Sequence, residues 1–394
     1  MIWMQRTLTN DLPTLNSPEF IGKLYVPFFP GIYAAYKTGD WAFSLGFNPP
    51  AGGGSVEFAE GLPMLEKDVS MIPSMLTAQG EQMNQGSGLL RTTKYSMESM
   101  LKGSSICYGI QAGTSYKIND MFSAFAGVRM LLASNSYEGY VKNIMINPVH
   151  PLLNPTGDMM SASQFFTAAG MAANAAATSD QALDVIQKGK GIAPILGFHF
   201  RNNGLNLAAK YEFQTNITLK NETKQNAMNM YPDGQELRSD VPALLSLAGS
   251  YDIIPALTFS VTYLHHFEPQ ATIESWDAAT ASIVKRQDLI DCGTNEYMAG
   301  LEWKLNKKLT LSAGGQYSDV GVSNAWQNDI THNLDNFTVG LGAAYQFTDR
   351  LTLNIGGLNT WYSAATINAD KPISHTQKYE RTNKAIAIGL DYRF

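Results

Sequence analysis

The chain has 394 residues, with 28 Lys and Arg against 34 Asp and Glu, for a formal net charge of −6. Charged residues make up 16% and aromatic residues 11%, where an average globular protein is roughly a quarter charged. The acidic balance without basic runs excludes a nucleic-acid binder. A mean hydropathy of −0.14 excludes a bundle of membrane helices, each of which needs about 20 consecutive apolar residues.

From the start, MIWMQRTLTN shows no basic region followed by an apolar core, so no signal peptide is visible within it; residues 4–10 are expected to supply a first strand. Alternating runs joined by tight polar turns then recur to the end. FFPGIYAAY meets WAFSLGF across residues 37–40, and ICYGIQAGTSY meets MFSAFAGVRMLL across 117–120. ILGFHF meets LNLAAKYEFQ across 201–204, and VPALLSLAGSY meets LTFSVTYLHHF across 252–256. EYMAGLEWKL meets LTLSAGGQYS across 306–308, and FTVGLGAAYQF meets LTLNIGGLNTWY across 348–350. Short turns of Asn, Asp, Gly and Lys between runs of period two are hairpin signals.

One face of each run is greasy and the other mixed. In FTVGLGAAYQF, Phe337, Val339, Leu341, Ala343, Tyr345 and Phe347 oppose Thr338, Gly340, Gly342, Ala344 and Gln346. A soluble sandwich could show the same alternation. Two features favour a membrane barrel instead: Trp41, Tyr116, Tyr251 and Phe347 cluster beside the short turns, and the opposite connections are long (48–104, 135–190, 218–240, 268–295, 319–336 and 363–383). Interfacial aromatics and one rim of long loops mark outer-membrane barrels. The hairpins, the first strand and the closing AIAIGLDYRF total fourteen, and single-chain bacterial barrels have even strand numbers. The expected fold is therefore all-β: one fourteen-stranded antiparallel transmembrane β-barrel over residues 1–394, with short helices inserted in the outer loops around 56–103 and 158–188.

In the second insertion, Ser161 with Gln164 and Thr178 with Gln181 each fit a capping box, predicting two helices. Phe165, Phe166 and Met171 are candidates for an apolar outer groove, although such helices could equally pack on one another. The first insertion carries Met64, Met71, Met75, Met83, Met97 and Met100, side chains that adapt to varied apolar partners.

The two cysteines, Cys107 and Cys292, are too few for a disulfide framework or a zinc site and read as free thiols. His265, His266 and Glu268 are the best candidates for hydrolysis or metal binding, but no nucleophile in a strained elbow accompanies them. No enzyme activity, metal or cofactor is expected. Inward positions include Arg129, Lys210, Glu212, Glu302 and Lys304, as a general diffusion porin for small polar solutes would need. They also include Phe29, Tyr33, Phe125, Leu131, Leu264, Met298 and Leu358, which could line an apolar pocket, with Arg129 placed to hold a carboxylate. The balance favours a hydrophobic cargo over the porin.

The strand count, helical outer loops, final aromatic and the run VPALLSLAGSYDIIPALTFSVTYLHHF (241–267) resemble the outer-membrane long-chain fatty acid transporter family, the FadL/TodX type. The resemblance implies a monomer in the Gram-negative outer membrane that passes fatty acids or hydrocarbons without nucleotide energy. It also implies an inward kink in the third strand that opens the wall to the bilayer. Asn48, Pro49, Pro50 and Gly52, directly after WAFSLGF, are the candidates, since Pro cannot donate to a ladder and Gly lacks a side chain to pack; an ordinary loop start is the alternative. The family's Gly-rich N-terminal hatch has no counterpart in this sequence. Phe394 resembles the terminal aromatic read by the outer-membrane assembly machinery.

Overall fold

The computed structural model describes residues 1–83, 88–278, 280–371 and 373–394. Among the described residues, a two-stranded ribbon pairs Glu274–Asp277 with Ser282–Lys285, and one large, separate antiparallel sheet closes on itself with fourteen spans crossing the barrel. They are β1 (Ile2–Asn10), β2 (Glu19–Val26, resumed at Ile32–Thr38), β3 (Trp41–Phe58), β4 (Tyr95–Lys117), β5 (Phe122–Ile146), β6 (Gln181–Asn202) and β7 (Leu205–Glu212). The second half comprises β8 (Leu244–Ile254), β9 (Leu257–His266), β10 (Asn295–Lys304), β11 (Leu309–Asp319), β12 (Asn336–Gln346), β13 (Leu351–Tyr362) and β14 (His375–Tyr392). Pairing of Ile2 with Ala385 through Asn10 with Gln377 joins the first strand to the last. Closure pairs the first strand with the last, which removes the terminal edges that hydrocarbon would not tolerate.

All six expected hairpins form. At Asn203–Gly204 both residues have positive φ (46° and 80°), the twist that a two-residue hairpin needs. The opposite rim differs from the sequence reading in extent: β3, β4, β5 and β6 run well into the regions expected to be loop. Above the membrane both faces of these strands meet water or protein, so the greasy alternation fades while the ladder continues.

The outward face is an apolar band with an aromatic girdle at each rim. Trp41 packs against Tyr116 with tilted rings (4.6 Å between centroids) beside the short turns. The sequence reading missed the upper girdle, a cross-strand row in which Tyr263, Tyr297, Tyr317, Phe337 and Trp361 stand directly opposite one another. Ten residues separate Phe337 from Phe347 on one strand; at about 3.3 Å per residue and a tilt near 40°, the girdles lie roughly 25 Å apart, the height of an outer-membrane apolar band.

Among the described residues, four α-helices cap the outer rim: α1 (Pro63–Ser70), α2 (Ile72–Met83), α3 (Ala162–Ala168) and α4 (Ala172–Ala177). Ser161 Oγ accepts from the Gln164 N–H, capping α3 as expected. Thr178 does not begin a helix. It ends α4, its hydroxyl donating to the Asn174 carbonyl at 2.7 Å, and Gln181 opens β6. The alanine run upstream has the best helix propensity in this stretch, and the alternation after Gln181 takes over as strand.

Candidate functional site

Two features of the wall define the site: an interruption between β2 and β3, and a smooth inner floor on the opposite side. β2 leaves the sheet at Pro27–Gly31, where two prolines cannot donate to a ladder. Its upper half contacts the β3 ladder only through Lys23 and Glu57, and its lower half pairs with residues 41–47. Residues 48–56 of β3 thus have no ladder partner on this side. On the other side β3 stays paired to β4 through two register shifts, at Asn48/Ala51 and Gly52/Gly54. The chain continues as a bulged strand here, so the segment from Asn48 to Gly52 is neither a loop nor a simple break. Gly52 and Gly53 take φ of +74° and +131°, which side chains rarely adopt. A Cβ on Gly52 would meet the Ser105 carbonyl oxygen at 2.3 Å, and one on Gly53 the Phe29 ring at 2.2 Å. Phe29 therefore lies across the gap. Tyr33, on the inward face opposite Gly46, packs its ring over that glycine.

On the far wall the inward side chains nearly vanish. Ser260, Gly300, Gly314, Gly340, Leu358 and Ala385 form one cross-strand row, and Glu302, Ser312, Gly342, Gly356 and Ala387 the next. Residues of opposite parity, Leu341, Ile355 and Ile388, are exposed on the lipid face. This floor bounds a lumenal cavity of about 780 Å³. Met298 and Leu358 line an adjoining space of about 340 Å³.

The expected site residues fall into separate groups. Phe29 and Tyr33 flank the gap, and Met298 and Leu358 share the floor. Leu264 stands on the inward face between Ser246 and Glu296. Phe125 packs across Gly113, Gly127 and Gly197 on the β4–β6 wall. Leu131 is sealed by Ile217 and Leu219 from the segment after β7. Arg129 donates to Glu212 Oε1 and Gln111 Oε1, both at 2.6 Å, so its guanidinium is already engaged. Phe165 and Phe166 are turned into the helix core with Val69, Ile72 and Leu76, and Met171 packs against it. The apolar surface that the helices offer outward is carried by Met64, Met75 and Met83.

His265 Nδ1 is held by Asn295 Oδ1 (2.9 Å), and Glu268 accepts from both the N–H and the hydroxyl of Thr294. Both cysteines are free.

A third cavity, of about 590 Å³, adjoins the gap. Its lining includes Gly52, Gly53 and Gly54 of the bulged strand together with Arg6, Arg381, His332 and Asn383. Sequence reading gave no signal for this group, because its members come from both ends of the chain and from one outer loop. Burial, and the nearby positive charge of Arg6 and Arg381, push the His332 imidazole down to about 3.

The family model described as outer membrane protein transport protein (OMPP1/FadL/TodX) matches residues 74–394. No curated protein matches the sequence. Among solved structures, a Pseudomonas aeruginosa FadL homologue is similar at a TM-score of 0.63 and 12% identity, covering 99% of this chain and 88% of that one. The Pseudomonas putida toluene transporter TodX is similar at 0.55 and 14%, covering 100% and 89%. The Ralstonia pickettii toluene transporter TbuX is similar at 0.50 and 13%, covering 100% and 90%.

Proposed function

The chain belongs to the OMPP1/FadL/TodX family of outer-membrane transport proteins, and from that premise we propose that it passes long-chain fatty acids or similar hydrophobic compounds by passive diffusion. The observation that carries the reading is the glycine-floored cavity facing an interrupted wall. A floor of Gly, Ala and Ser offers little polar competition to a flexible alkyl chain, whose burial contributes about 0.8 kcal/mol per CH2. Capture begins on the methionine-bearing outer helices. The cargo moves past Met298 and Leu358 and leaves beside Phe29 and Tyr33, where β3 lacks a partner. The protein works as a monomer, and Phe394 serves its insertion.

The test is reconstitution of the purified protein. Vesicles should take up oleate or toluene faster than empty ones and should not swell in small sugars. Sugar-driven swelling without hydrophobic uptake would establish the porin instead.

A further inference from the structure

The outer surface of β6 carries lysines where β12 carries an aromatic. Phe337 stands ten residues above the lower-girdle Phe347 on β12. On β6 the lower-girdle aromatic is Phe200, opposite Phe122 with rings 5.0 Å apart, and the residue ten positions above it is Lys190. Lys188 follows on the same face. Both share the parity of Ile192, which is 62% exposed on the lipid side, while Gly189 and Gly191 face inward against Ile217. At about 3.3 Å per residue and a tilt near 40°, Lys190 and Lys188 lie roughly 25 and 30 Å above Phe200, at the outer interface.

A third lysine joins them. Lys220, on the segment Thr218–Asn226 that pairs with the upper part of β6, stands directly opposite Lys188. Cβ atoms of such pairs are about 5 Å apart, and like charges there are destabilising. Glu222 offsets one of them, accepting from Lys188 Nζ at 2.7 Å. All three lysines are exposed, and among the described residues Lys190 and Lys220 form no ion pair.

The surroundings are layered. Below the lysines, Val128, Met130, Leu132, Ile192 and Leu196 form an exposed aliphatic stripe. Above them, Ser134 stands opposite Lys188, and Glu138 opposite Asp184 comes higher still. From the membrane outward the wall offers alkyl contact, then ammonium donors, then hydroxyls and carboxylates. A lipid bearing acyl chains, then phosphates, then sugar matches that order. Lysines near a membrane surface attract anionic head groups, and their long stems carry the charge to the interface.

We infer that Lys188, Lys190 and Lys220 form an external site for a phosphorylated glycolipid of the outer leaflet, of the lipid A type, whose acyl chains lie along β5 and β6. The site is on the outside of the barrel, separate from the transport path.

The experiment is native mass spectrometry of the full chain in a neutral detergent, titrated with bis-phosphorylated lipid A, its dephosphorylated form and phosphatidylglycerol. The wild type should bind the bis-phosphorylated lipid most tightly. In the Lys190→Gln/Lys220→Gln variant that affinity should fall about thirtyfold, with the dephosphorylated form bound as before. A urea midpoint no lower than that of the wild type shows that the variant is folded, and Lys190→Arg/Lys220→Arg should keep the preference. Equal binding of lipid A with and without phosphates, or unchanged binding by the glutamine variant, overturns the site. Phosphatidylglycerol bound as tightly as lipid A overturns the assignment to a glycolipid.

Discussion

Filling the glycine floor tests the transport path directly. Gly340 lies on β12 between Gly314 and Leu358, facing the cavity of about 780 Å³. A Cβ placed there meets nothing nearer than the Gly357 carbonyl oxygen at 3.6 Å and Leu358 Cβ at 3.8 Å, which are ordinary contacts. Gly340→Phe therefore fits the backbone and directs its ring into the lumen. Replacing a strand glycine should itself stabilise by about 0.5–1 kcal/mol. A ring that displaces roughly three methylenes of cargo removes about 2.4 kcal/mol of burial, a loss of roughly fifty-fold in affinity. The control is Gly357→Phe, on the neighbouring strand β13 beside Leu358 but facing lipid between Leu341 and Ile386. Oleate uptake into proteoliposomes should fall for Gly340→Phe and hold for Gly357→Phe, both variants unfolding no earlier than the wild type in urea. Wild-type uptake by a folded Gly340→Phe protein would show that cargo does not pass over this floor.

Arg129→Ala leaves Glu212, whose side chain is 8% exposed, with only the longer 3.7 Å contact to Lys210 in place of its 2.6 Å pair; the expected loss is about 1–3 kcal/mol of unfolding free energy, largely restored by adding Glu212→Gln. Leu341, 67% exposed on the lipid face, should cost about 2–4 kcal/mol when changed to Arg if it lies near the bilayer midplane, read as a lower urea midpoint in vesicles. His332 has its folded value depressed from 6.5 to about 3, so the unfolded chain binds more protons between those limits. Its contribution is present above pH 6.5 and is lost as pH falls toward 3; pH-dependent unfolding should lose this slope in His332→Asn.

The barrel was legible because its physics is local. Alternation of period two, short turns and rim aromatics each survive in a single strand, and their repetition counts the spans. The bulge in β3 was half legible. Pro49, Pro50 and the glycines announce a disturbance, but whether the chain then turns away or stays paired depends on β4, which holds it through two register shifts. The partner lost at residues 48–56 is decided by the prolines of β2, an irregularity some twenty residues upstream. Phe165 and Phe166 show the limit of composition: an apolar helix face reads the same whether it meets cargo or another helix, and here it meets α1 and α2. Arg6 and Arg381 were illegible for a different reason. Each looks like an isolated inward charge, and only closure of β1 on β14 sets them opposite each other.

Register also fixes the height of that pair. Trp361 of the upper girdle stands opposite Thr382, the residue after Arg381, so the arginines lie at the level of the outer interface. The unpartnered stretch of β3 reaches the same depth. Asn48 and Val56 are seven and fifteen residues beyond the lower-girdle Trp41, or roughly 18 and 38 Å above it at about 3.3 Å per residue and a tilt near 40°. The gap therefore takes in only about the outermost 7 Å of an apolar band about 25 Å tall and continues above it into the outer interface. The missing Cβ of Gly53 is what lets the Phe29 ring rest across this gap.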